Sequence, residues 1–94
     1  MKLAFEWDEV KAKANLNKHN VSFEEGRTIF SDPFLFTFPD DRHSIEEERY
    51  INIGLSMSGR VLVLRHTERQ GKIRIISCRK ATPRERSFYE ESSF

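Results

Sequence analysis

What this chain lacks narrows it first. It has one cysteine, Cys78, which excludes an internal disulfide and a cysteine-based metal cluster. Its 4 glycines never cluster, so no glycine-rich loop is available to cradle a nucleotide phosphate. No apolar run approaches the roughly 20 residues of a membrane span. Glu6 and Asp8 interrupt the N-terminus too early for a secretory signal. No pair among His19, His43 and His66 has metal-ligand spacing. Asp40, Asp41, His43 and the Glu46–Glu48 run have donors for a divalent ion, yet read first as a solvated loop. No metal or cofactor is expected, no membrane contact is expected, and the location expected is cytoplasmic.

What is there is one domain, residues 1–94, with 37% apolar and 33% charged residues. The net charge of +1 hides an asymmetry. Residues 1–59 hold 7 Lys/Arg against 11 Asp/Glu, whereas residues 60–86 hold 9 against 2, a local net of +7. So concentrated a positive field suits a polyanion.

Hydrophobic periodicity sets the elements. Leu3, Phe5 and Trp7 alternate with Ala4 and Glu6, a short strand. Asp8 caps a helix over 9–19, which Asn20 ends in a left-handed turn. Ser22 and Glu25 form a capping box for a second helix over 23–30, stopped by Asp32-Pro33. Phe34, Phe36 and Phe38 alternate as a strand, followed by a polar loop over 39–44. Strands are expected over 49–56, 60–69 and 72–80, separated by turns at Ser58-Gly59 and Gln70-Gly71. Val61-Leu62-Val63-Leu64 is apolar on both faces, as a central strand is. Thr82 and Glu85 form a second capping box around Pro83, opening a helix over 83–91. The order is β-α-α-β-β-β-β-α, and the short turns predict an antiparallel meander with helices on one face, an α+β domain.

The chemistry gathers on the last hairpin. Arg65 is expected opposite Ile76 or Ser77, and Arg79 opposite Leu62-Val63. Strict alternation would put Ile73, Ile75, Ser77 and Arg79 on one side of the last strand and Arg74, Ile76, Cys78 and Lys80 on the other. Cys78 reads as small apolar filler. Cleaving RNA without a metal requires proton transfer and stabilisation of a charged phosphorane. A carboxylate or imidazole can do the first, and guanidiniums the second. His66 and Glu68 offer the proton chemistry; Arg65, Arg74 and Arg79 offer the clamp; Arg69, Lys80, Arg84 and Arg86 offer further backbone contacts. A row of exposed strand ion pairs, each worth about 0–1 kcal/mol, would look the same in composition.

Wording of the sequence separates these readings. Phe5-Glu6-Trp7-Asp8, Ala14-Asn15-Leu16, Lys18-His19 and Val21-Ser22-Phe23-Glu24-Glu25 resemble the opening of the BrnT family of bacterial toxins. Asp32-Pro33, Glu48-Arg49-Tyr50, Gly59-Arg60-Val61-Leu62-Val63 and His66-Thr67-Glu68-Arg69 continue the likeness. Ile73-Arg74-Ile75-Ile76-Ser77-Cys78-Arg79-Lys80-Ala81-Thr82, then Arg84-Glu85-Arg86, complete it. Cys78 stands where the family commonly has Ala, and Asn20 where Gly is common. The resemblance implies a RelE-like fold and a ribonuclease of a type II toxin–antitoxin system. It implies growth arrest through RNA cleavage, and a BrnA-type antitoxin as partner. Operator DNA would be met only through that antitoxin. Its functional positions would fall on Arg65 or His66, Glu68, Arg74, Arg79 and Lys80. The alternative is a non-catalytic module binding nucleic acid or protein on the same fold. A third reading makes the basic surface mainly an antitoxin dock, with an apolar patch beside it.

Overall fold

The alternating segments pair as one five-stranded sheet in the computed structural model, which describes residues 3–43 and 45–93. The elements are β1 (Phe5–Glu6), α1 (Glu9–His19), α2 (Phe23–Arg27), a 3₁₀ turn (Thr28–Ser31), β2 (Phe36–Pro39), β3 (Arg49–Leu55), β4 (Val61–Arg69), β5 (Lys72–Lys80) and α3 (Pro83–Ser93). The strand order is β1-β5-β4-β3-β2. Ser44, in the expected polar loop, lies outside the described residues.

The caps act as their residue types require. Asp8 accepts from the N–H groups of Val10 and Lys11, and Ser22 from that of Glu25. Asn20 takes the left-handed conformation at φ 57° and donates its N–H to Leu16 O. Thr82 and Glu85 exchange hydrogen bonds at 2.8 and 3.2 Å, closing the second capping box.

Four expectations shift. The second helix loses α geometry at Arg27 because Thr28 turns its hydroxyl back onto Glu25 O at 2.6 Å and its N–H is shared between the carbonyls of Glu25 and Gly26. The strand expected from Phe34 starts at Phe36, because the Asp32 carboxylate accepts from Phe34 N and Asp32 O from Leu35 N, making a turn. The sheet is mixed rather than antiparallel: β1 lies parallel to β5, with Phe5 opposite Ile73. That pairing is open to it because the chain between them is long enough for a crossover. The helices also cover both faces, not one. Leu62 and Leu64 face α1 and α2 in a core with Val21, Phe23, Ile29, Ile75 and Cys78. Val63 and Ile53 face the other way and pack with Ala81 and Tyr89 of the α3 segment. A strand apolar on both sides demands cover on both; burying one Leu side chain is worth roughly 1.5–3 kcal/mol.

The register carries the finding that matters for function. Arg65 pairs with Ser77 and Val63 with Arg79, as expected, but His66 pairs with Ile75, leaving Ile76 as a β-bulge. The bulge changes the phase of β5. Ile73 and Ile75 join Cys78 in the core, and Arg74, opposite Thr67, joins Ser77 and Arg79 on the other face.

Candidate nucleic-acid interface

The face that α3 covers only in part carries the arginines. Arg65 comes from the middle of β4, Arg74 and Arg79 from β5, and Arg49 from β3 opposite Thr67. Each of the first three is held by a carboxylate. Arg74 pairs with Glu6 at 2.8 Å across the β1–β5 edge. Arg79 makes a two-pronged pair with Glu85, at 2.7 and 2.9 Å. Its guanidinium holds the Glu85 carboxyl down at about 2, so this carboxylate stays ionised and the fork stays oriented. Arg65 lies 3.5 Å from Asp40. The three guanidinium side chains remain 29–41% exposed, so they are fixed in direction yet open to a ligand.

Asp40 organises a second group. Its side chain is only 5% exposed, and its Oδ2 meets His43 Nδ1 at 2.9 Å as well as Arg65 Nε. The chain is bent there by His43 N donating to Asp40 O, just after Asp40 N has donated to Arg49 O. A carboxylate on Nδ1 fixes the imidazole's tautomer and leaves its outer nitrogen for other work. His43 itself is 46% exposed. The sequence presents these two residues as part of a solvated loop. Burial of Asp40 is what sets them apart, and the sequence carries no sign of it beyond an Asp three residues before a His.

His66 and Glu68 do not join this group. His66 points into the α1/α2 face, nearly fully buried. Its Nδ1 takes a hydrogen bond from the Asn52 amide at 2.7 Å, and its ring stacks on Tyr50 and meets Phe30 edge-on. Burial lowers its pKa, which favours the neutral ring. Glu68 lies 3.7 Å from its Nε2, on the same side. The proton-transfer role read for these two is therefore not supported by placement: the sheet stands between them and the arginines. Arg69 pairs with Glu47 at the hairpin end. Lys80 and Arg86 line a cavity of about 660 Å³ beside Phe34, Leu55, Val61 and Tyr89, and Arg84 is exposed on α3. Cys78 is buried, and desolvation pushes its thiol up to about 12, which makes it inert filler. Among the described residues no three His, Cys, Asp or Glu side chains are grouped to hold a metal.

A model of the BrnT family, described as the ribonuclease toxin of a type II toxin–antitoxin system, matches residues 7–85. The chain belongs to the BrnT family. Its fold agrees with the 1.1 Å crystal structure of the Brucella abortus ribonuclease toxin BrnT. That structure aligns with a TM-score of 0.67 at 21% identity, covering 86% of this chain and 99% of the other. No curated protein matches significantly. As a BrnT chain, this one is a member of a ribonuclease toxin family, and the family implies an RNA target and an antitoxin partner. Among its described residues no helix is long and apolar enough to cross a membrane.

Proposed function

We propose that this chain is a cytoplasmic endoribonuclease toxin, working without a metal, and that its arginine face is the catalytic surface. The supporting observation is the bulge at Ile76, which turns Arg74 onto the face that already carries Arg65 and Arg79. In this reading Arg65 and Arg79 clamp the scissile phosphate, and Arg74 holds the strand beside it. Arg69, Lys80, Arg84 and Arg86 supply peripheral backbone contacts.

Proton transfer falls to His43, since the Asp40 carboxylate at Nδ1 favours the tautomer whose Nε2 accepts. The 2′-hydroxyl proton passes to the imidazole, and the oxygen attacks the adjacent phosphorus. The bond to the 5′-oxygen breaks, that oxygen takes a proton from water, and the imidazolium returns its proton to the hydroxide left behind. A 2′,3′-cyclic phosphate and a 5′-hydroxyl end result. The phosphorane's extra charge is what the fixed guanidiniums meet. Cleaved transcripts would halt translation and growth.

A BrnA-type antitoxin would relieve this. Phe34, Phe36, Phe38, Leu55 and Phe88 are exposed large apolar side chains. Phe36 and Phe88 meet edge-to-face at 5.1 Å, beside the arginine face. A surface of this kind supports a protein partner. DNA would be met only through that partner.

The test is cleavage of a single-stranded RNA in the presence of EDTA, read on a gel. Arg65→Ala with Arg79→Ala, and separately His43→Gln, should each lower the rate by about 10²-fold or more. Glu68→Gln should leave it within about twofold, a surface change away from the chemistry. Undiminished cleavage by His43→Gln would remove the base assignment. Salt-sensitive binding with no product from the parent protein would favour a non-catalytic binding module instead.

A further inference from the structure

Among the described residues β1 pairs with β5 only at Ile73 and Arg74, so the edge of β5 beyond Ser77 has no strand neighbour there. A side chain takes that place. The Asn15 amide donates to Cys78 O at 2.8 Å and accepts from Cys78 N at 3.1 Å, and it also donates to Val21 O at 2.9 Å. One buried asparagine thus satisfies the orphaned strand edge and clamps α1 against it. Lys18 and His19 follow Asn15 by three and four residues, so they share its side of the helix. They are carried to the same edge.

There they meet the sheet's arginines. A cleft of about 260 Å³ is lined by Lys18, His19, Arg65, Ser77 and Arg79 over a floor of Val63 and Cys78. Among the described residues no carboxylate lines it. Arg65 and Arg79 already have carboxylate partners, whereas Lys18 and His19 have no ion pair among the described residues. The cleft therefore holds a surplus of hydrogen-bond donors and positive charge, with a hydroxyl among them. In the sequence Lys18-His19 is part of the likeness to the BrnT family with no role attached, and positive charge there also suits the end of a helix.

We propose that this cleft is a phosphate subsite, taking one backbone phosphate of an RNA strand laid over the arginine face, with Lys18 and His19 as its contacts. The proposal rests on the ribonuclease reading and deepens it: the strand runs from the sheet face over the β5 edge onto the last turn of α1. The functional surface then extends beyond the basic hairpin to the N-terminal half of the chain.

The experiment uses the full chain and a single-stranded oligonucleotide with 2′-O-methyl sugars, which binds but cannot be cleaved. Lys18→Ala with His19→Gln should weaken binding about tenfold. It should also flatten the dependence of log K on log salt by about 0.7, the loss of one single-strand phosphate contact. Lys13→Ala, on an exposed position of the same helix, should change neither, and circular dichroism should show helix content intact. In parallel, inorganic phosphate should shift the His19 imidazole resonances. Parent-like affinity and slope in the double variant overturn the proposal. If Arg65→Ala with Arg79→Ala still abolishes binding in that case, the arginine face stands and only the subsite falls. If neither pair matters, both readings fall. A phosphate-dependent His19 shift with unchanged oligonucleotide binding overturns the RNA assignment in favour of a free-phosphate site.

Discussion

Single residues hold this molecule together where elements leave gaps. Glu25 accepts from Arg60, Ser56 and Ser58, tying α2 to the β3–β4 turn. The Arg60 guanidinium is the main reason its carboxyl titrates at about 2 rather than 4.5. A carboxylate with a depressed pKa stabilises the fold above its unfolded pKa, and that stabilisation is lost as pH falls through the folded value. The acid limb of the stability curve should therefore steepen between pH 4.5 and about 2. Arg60→Met should remove part of that limb and cost roughly 2–3 kcal/mol at pH 7 by leaving Glu25 unpaired. Urea melts of both proteins across that pH range would show it; a parallel offset at all pH values would mean Glu25 is not the group responsible. Gly26 shows the same economy in packing. A Cβ there would stand 2.9 Å from Cys78 Sγ and 3.0 Å from Leu64 Cδ1, so α2 lies as close to the sheet as glycine alone permits.

At the scale of elements, the decisive feature is the phase of β5. Alternation along Lys72–Lys80 read without interruption puts Arg74 with Cys78 and sends Ile73 and Ile75 to the arginine face. The apolar requirement of the core overrides this: Ile73, Ile75 and Cys78 can all be buried only if one residue is inserted into the count. Ile76 is that residue. Deleting it should give a strand of strict alternation that keeps Ile73, Ile75 and Cys78 inward and Arg74 outward, so stability should stay within about 2 kcal/mol of the parent. A loss of about 4 kcal/mol or more, the size expected if the core phase were broken, would contradict this account of the strand. The strand starts and helix caps were legible in the sequence because they depend on neighbours within four residues. The bulge was not, because its cause lies in partners on β4 and α2.

For the whole molecule, layering follows from β4. It lies between β3 and β5, and Leu62, Val63 and Leu64 are at most 5% exposed. β2 is an edge strand exposed throughout. Native-state hydrogen exchange should accordingly be slowest at the amides of 62–64 and faster by orders of magnitude along 36–38, since opening free energy follows burial. Equal protection in the two strands would contradict the layered core. The same layering divides the candidate chemistry. His66 and Arg65 are neighbours in sequence, yet a strand sends adjacent side chains to opposite faces. One becomes a neutral, stacked core group and the other part of the exposed arginine face.

Much was legible in the chain's own pattern: an α+β fold, its elements and caps, a two-faced central strand, a basic hairpin and the likeness to BrnT toxins. These rest on local periodicity, local charge and residue wording. Which arginines share a face, which histidine meets a carboxylate, and that α1 brings Lys18 and His19 to the β5 edge were decided only by tertiary structure. Each depends on a long-range pairing: a register between two strands, the burial of Asp40, or the grip of Asn15 on Cys78 across 63 residues of chain. Such pairings follow from how the whole core fills, and no short stretch of sequence contains that.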